Sequence, residues 1–283
     1  MSRLNTHTAQ PHKTFFRSNP IMNRLNKVDA TAAEDGKSAG YGRITAKTAF
    51  FLLATVGGMM LYLVLNATIF AGMEKTIELN YRGFHTVIAV APIIWAAVVT
   101  VVAIIAQIVA AFGPGTIPVS GTIYSACQGF LIAFIVFSLI PGYEYLGLLA
   151  LLITVVVVFC MAMLYAKGVI RVTKKFVMVL LTMVAAMVGI SLLTLIFSFI
   201  PLTRPFVMQI LGNFWVSIGL TILSLIIACL FLISDFATID YVVENKMSAK
   251  YEWMAAFGLA FTILWVYVKI LDLLIKIVGK GKK

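Results

Sequence analysis

The sequence predicts an all-α polytopic membrane protein with seven transmembrane helices. Composition is the first reason. Of 283 residues, 61% are hydrophobic and 12% charged, whereas a soluble chain carries roughly twice that charged fraction, about 25%. A mean hydropathy of +1.02 makes lipid the solvent for most of the chain. Distribution is the second reason. The apolar residues gather in seven runs, each supplying the roughly 20 residues that a helix needs to cross a bilayer core. One bundle over residues 44–278 accounts for all of them, with no need for a second domain.

Residues 1–43 are polar and basic, too poor in apolar content to fold alone, and are expected as a largely disordered cytoplasmic tail. Within it, FFRSNPIMNRL brings Phe15, Phe16, Ile21, Met22 and Leu25 close together. The patch either lies on the membrane surface or is a set of isolated apolar residues in a disordered segment. The first apolar run begins too far along for a cleaved leader and is expected to stay as a span, at 48–71. The second is expected at 87–111, kinked at Pro92. FGPGTIP is a short uncharged turn, so the second and third spans form a close hairpin. The third covers 120–140 and stops at Pro141-Gly142. The fourth is 145–165, the fifth 176–200, the sixth about 206–233 and the seventh 254–277, followed by a basic tail at 279–283. Small residues four apart let helix backbones approach, and three such pairs occur: Gly129 with Ala133, Ala185 with Gly189, and Ala256 with Ala260.

The net charge of +11 is concentrated in particular segments. Residues 1–47 hold eight Lys/Arg against three acids, and the short 166–175 connection holds four against none. Basic segments beside apolar spans read as cytoplasmic, which sets the N-terminus inside and the C-terminus outside. The C-terminal Lys276, Lys280, Lys282 and Lys283 run against that bias, but the N-terminal charges usually dominate. The expected location is a cell membrane, crossed several times, with the lipid bilayer as the main partner. A nucleic-acid partner is not expected, because no soluble basic face exists to bind one.

Chemistry is sparse. Cys127, Cys160 and Cys229 each sit inside an apolar run, an odd count without paired spacing, which argues against disulfides or a zinc site. No nucleophile elbow, zinc-protease pair, Walker loop or dinucleotide fingerprint is present, so an enzyme is not expected, nor is a resident cofactor or metal. The acids that remain cluster late in the chain. Asp235, Asp240, Glu244 and Glu252 surround the connection between the last two spans. Carboxylate oxygens suit hard cations such as calcium, and a carboxylate withdrawn from water can sense pH. The alternative is a solvated loop with ordinary helix-end acids. Lys269 and Asp272 lie inside the seventh span, three residues apart, where they can pair, and Lys276 can reach Asp272 from one turn later. The alternative there is a lysine that snorkels to the outer interface. Gln128, with Asn213 and Gln209, adds intramembrane polarity that helix-to-helix hydrogen bonding would explain.

Several stretches together carry a resemblance. They are Ser18-Asn19-Pro20, Ile170-Arg171-Val172-Thr173 with Lys175-Phe176, and Ser234-Asp235-Phe236 with Ile239-Asp240. The longest is Glu252-Trp253-Met254-Ala255-Ala256-Phe257-Gly258, followed by Trp265, Tyr267 and Ile270-Leu271. In order and spacing the chain resembles the Bax inhibitor-1 family, specifically its bacterial YccA-like branch. The resemblance implies seven helices with the last one central and a cytoplasmic N-terminus. It also implies a pH-sensitive calcium leak channel, or a stress-response regulator that binds a membrane protein such as a protease. In channel-like members an aspartate ending the sixth helix shares a proton with one in the seventh. Asp235 matches the first, but Thr262 stands at the second position, and a hydroxyl cannot replace a carboxyl in that exchange. Glu252 and Asp240 are the substitutes at hand. The expected activity is therefore a pH-modulated calcium leak through Asp235, Thr262, Glu252 and Asp240, with transported Ca2+ as the ion. The alternative is a non-conducting regulator.

Overall fold

The computed structural model describes residues 38–70, 76–170 and 172–280, the side chains of Met208 and Leu211 excepted. The FFRSNPIMNRL patch lies outside the described residues. Lipid offers no partner for backbone N–H and C=O groups, so the spanning segments must satisfy them internally, as helices do. Seven helices are long and apolar enough to cross a membrane. In chain order the elements are α1 Tyr41–Thr68, β1 Thr76–Tyr81, β2 Phe84–Ala89, α2 Val90–Phe112 and α3 Ile117–Phe134, with α3 prolonged by a π-helical turn, Ile135–Leu139. Then come α4 Tyr145–Ala166, α5 Lys174–Phe199, the short α6 Arg204–Gly212, α7 Phe214–Glu244 and α8 Lys250–Lys280.

Three elements differ from the sequence expectation. The β1–β2 hairpin was not foreseen, because Val87 and its neighbours read as the start of the second span. Its signal is an alternating pattern: Phe84, Thr86 and Ile88 point inward while His85 and Val87 are exposed. Tyr81 pairs with Phe84 across a two-residue turn, Arg82-Gly83, with φ of 53° and 93°. Two positive φ values mark the tight turn that matches strand twist. Pro92, expected to kink a span, is instead the third residue of α2, where a missing N–H breaks no bond. The sixth span is broken at Asn213, whose side-chain oxygen accepts the N–H groups of Trp215 and Val216 and caps α7. From there α7 runs to Glu244, so Asp235 and Asp240 lie on a helix and not in a loop.

The last helix is central. Helix α8 packs against α1, α3, α4 and α7, and its Ala256 and Ala260 are fully buried. Helices α1 and α3 cross with their backbones in contact. A Cβ on Gly58 would stand 1.9 Å from the Ala126 carbonyl oxygen, and one on Gly129 would stand 1.8 Å from that of Thr55. The Gly129–Ala133 pair thus serves a close crossing. The Ala185–Gly189 pair does not, since Gly189 has open space where a Cβ would go and Ala185 is exposed. Helix α5 is the loosest of the seven: of its 26 residues only Leu180 is buried.

Gly58→Ala and Gly129→Ala must push two backbones apart, and each should lower the thermal midpoint in detergent, by about 1–3 kcal/mol of stability. Gly189→Ala, on the same class of motif, should be neutral or slightly stabilising, because alanine is the better helix former. Thermal unfolding followed by circular dichroism checks the contrast.

Candidate functional site

Helices α1 and α8 start at the same end of the bundle, and there the acid of the Glu-Trp-Met stretch is fully buried. Glu252 Oε2 accepts from Lys47 Nζ at 2.6 Å, and Oε1 accepts from Arg43 Nε at 2.6 Å and from the Gly40 N–H at 3.0 Å. Arg43 and Lys47 are four apart on α1 and so share one face. Lys47 also lies over the Trp253 ring, 4.7 Å from its centroid. The Ala39 N–H donates to the Met247 carbonyl at 2.8 Å, fastening the strand before α1 to the turn before α8. Glu252 is therefore neutralised in place by two cations.

Asp240, about one turn before the end of α7 at Glu244, accepts from the Tyr165 hydroxyl at 2.5 Å, and Tyr41 lies against the same carboxylate. That contact ties the ends of α4 and α7 to the start of α1. Gln128 donates to the Tyr124 hydroxyl, one turn back on α3, at 3.0 Å.

Asp235 differs from both other acids. Its carboxyl lies in hydrogen-bonding contact with the Thr262 hydroxyl of α8, and a Cβ on Gly258 would stand 3.7 Å from its Oδ1. The Oδ2 atom is shut off from the surface and has no hydrogen-bond partner. Among the described residues Asp235 makes no ion pair. Thr262 has one proton, and its hydroxyl also reaches the Gly258 carbonyl at 3.1 Å. With Asp235 ionised, Thr262 must choose between two acceptors. With Asp235 protonated, the acid donates to Thr262 and Thr262 donates to Gly258, so each proton in the chain has one acceptor and no net charge is buried.

At the opposite, hairpin end, the expected Lys269–Asp272 pair is not made. Asp272 instead pairs with Arg82 from the hairpin turn and with Lys276 at 3.0 Å, and accepts from the Thr221 hydroxyl at 2.9 Å. Lys276 also donates to Thr221 and to the Ser217 carbonyl. Sequence spacing favoured Lys269, but Lys276 is equally near on the helix surface, and the hairpin delivers a guanidinium that no spacing rule could foresee. The tip is pressed against α8: a Cβ on Gly279 would stand 2.1 Å from the Arg82 carbonyl oxygen. Lys269 instead lines a cavity with residues of α5, α7 and α8.

The residues missed by sequence reasoning are Arg43, Lys47, Arg82, Tyr165 and Thr221. Arg43 and Lys47 had a signal, a basic i, i+4 pair where an apolar helix begins. Arg82 had one in the Arg-Gly turn between alternating strands. Tyr165 and Thr221 had none. Among the described residues no group of three or more His, Cys, Asp or Glu side chains could hold a metal.

A family model for Bax inhibitor 1-like proteins matches residues 19–279. The chain belongs to the Bax inhibitor 1-like family. No curated protein and no solved structure matches it. Family membership and seven apolar helices together make it a multi-pass membrane protein.

Two stability series test the ion pairs. Glu252→Gln leaves two cations facing each other and should destabilise by about 2–3 kcal/mol, less than the roughly 3–5 of a wholly buried pair because Arg43 is half exposed. Lys47→Met should cost less, and Arg43→Ala least. In the second series, Asp272→Asn and Arg82→Gln should each lower the midpoint, and their effects should be strongly non-additive in a double-mutant cycle. Lys269→Gln should leave the Asp272 pairs intact and the midpoint nearly unchanged.

Proposed function

We propose that this family member is a pH-modulated cation leak channel of the YccA-like branch, passing calcium across the bacterial plasma membrane, with its N-terminus in the cytoplasm. The observation that carries this reading is the Asp235–Thr262 contact between α7 and α8, a carboxyl with no counter-ion and one unpartnered oxygen. Asp235, Thr262 and the Gly258 carbonyl offer only oxygen, the donor that hard cations prefer. Thr262 cannot share a proton as a second aspartate would, but it can relay one hydrogen bond. Protonated Asp235 completes the relay and holds α7 on α8. Ionised Asp235 leaves it one donor short and presents an uncompensated charge to a cation. Glu252 and Asp240 then serve as anchors, since their oxygens are occupied by Arg43, Lys47 and Tyr165.

Purified protein in liposomes loaded with a calcium dye should give a flux above empty vesicles that changes between mildly acid and mildly alkaline pH. In Asp235→Asn the amide can donate to Thr262 as the protonated acid does. Its flux should therefore be independent of pH and equal to the acid limit of the unaltered protein. Flux no greater than that of empty vesicles at any pH would sink the channel reading.

A second reading is a non-conducting regulator that binds another membrane protein, such as a membrane protease in a stress response. The loosely packed α5 favours it, because that helix offers apolar faces that the bundle leaves uncovered. Photo-crosslinkers on α5 in native membranes should then capture one discrete partner, with loss of capture when residues 1–43 are removed. A monomer-only pattern would count against it.

A further inference from the structure

The cavity beside α5 has a chemistry that neither reading uses. It measures about 270 Å³ and is lined by Lys269, Ser224, Trp265, Ser191, Val188 and Leu192, among others. Two of its polar groups lack partners. Ser224 is 1% exposed, yet its hydroxyl makes no hydrogen bond, not even to its own helix. Lys269 is half-buried and makes no ion pair among the described residues, while the two cations nearest in the hairpin-end cluster, Arg82 and Lys276, take up Asp272. A buried hydroxyl without a partner and a half-buried lysine without a counter-ion call for the same thing, an anion that accepts hydrogen bonds. The rest of the lining is apolar, and Val188 and Leu192 are more than half exposed, so the cavity opens sideways toward lipid.

We propose that this cleft binds a long-chain fatty acid, with its carboxylate held between Lys269 and Ser224 and its chain running out along α5. Size selects this ligand over a phospholipid. At about 270 Å³ the cavity falls just under the roughly 300 Å³ at which small-molecule pockets begin, room for one carboxylate head and the first part of a single chain, and not for a phosphate ester that carries two. Trp265, whose ring lies tilted against that of Phe231 with centroids 5.8 Å apart, forms one wall and supplies an optical probe.

The test uses the full chain in zwitterionic nanodiscs and three brominated quenchers of tryptophan: a long-chain fatty acid, its methyl ester and a phosphatidic acid. The fatty acid should quench saturably, and Trp265→Phe should remove the saturable part. The uncharged ester should give only a weak, non-saturating response. Lys269→Gln should weaken the fatty acid's apparent affinity by about tenfold or more, Ser224→Ala by less, and Lys269→Arg should retain binding. Equal quenching by acid and ester would overturn the site, as would a Lys269→Gln protein that binds like the unaltered one. Saturable quenching by phosphatidic acid but not by the fatty acid would overturn the choice of ligand, and no saturable quenching at all would overturn the whole proposal. Should Lys269→Gln fail to fold, the acid–ester contrast and Trp265→Phe decide alone.

Discussion

An acid carried into a membrane bundle must find its counter-charge inside the protein, because neither lipid nor bulk water will supply one. Helix α8 carries such an acid near each end. Glu252 is met by Arg43 and Lys47 of α1, and Asp272 by Arg82 of the hairpin and by Lys276. Twenty residues separate the two acids (252 to 272), about 30 Å of helix and close to the thickness of a bilayer core. Both anchors draw a cation from a different element, so they fix the axial position of α8 against α1 at one end and against the hairpin at the other. A slip of α8 by one turn would break both at once. The register of the central helix, and of everything that packs on it, depends on these two clusters.

Between the anchors, packing does the remaining work. Lipid tails are as apolar as leucine, so apolar area alone does not drive these helices together; close van der Waals contact does. Gly58 and Gly129 allow it between α1 and α3, and Ala256 and Ala260 allow it around α8. Helix α5 has the composition of a span but no comparable run of small residues facing a neighbour. It is held chiefly by α6 and α7, which leaves a cavity where a tighter bundle would have none.

The legible parts of this protein were those written in local sequence. Seven spans follow from hydrophobic run length, and the Gly129–Ala133 crossing follows from small residues at helical spacing. Asp235 and Thr262 were identified through a resemblance that fixed their order, and the structure brings their side chains together. Less was legible where distant segments meet. Asp272 was assigned to Lys269 because spacing sees only one helix, while its partner Arg82 lies 190 positions earlier (272 − 82) on a hairpin tip. The acids after 233 read as a loop because charge there ended the apolar run. Yet α7 continues for three more turns, since Asp240 is satisfied by Tyr165 from α4. Polar satisfaction across helices, invisible to periodicity, decided both cases.

The α7–α8 seam now has a pattern that neither end of the bundle has. Thr262 and Lys269 are seven apart on α8, and Ser224 and Asp235 are eleven apart on α7. Both spacings return to nearly the same face of a 3.6-residue helix. One seam therefore holds an acid without a cation and, about 10 Å further along the axis, a lysine without an acid. They do not neutralise each other: no ion pair joins them, and Asp235 is answered by a hydroxyl. The buried acids near the two ends of α8, Glu252 and Asp272, are paired with short contacts and several hydrogen bonds. The seam breaks that rule twice, on the same face, and where the lysine lies it borders α5, the least buried of the spans. Hydrogen bonds from Thr221 to Asp272 and from Lys276 to Ser217 and Thr221 clamp α7 to α8 at the hairpin end, so an ion or a ligand at the level of the unpaired groups would act on the middle of a seam whose end is held.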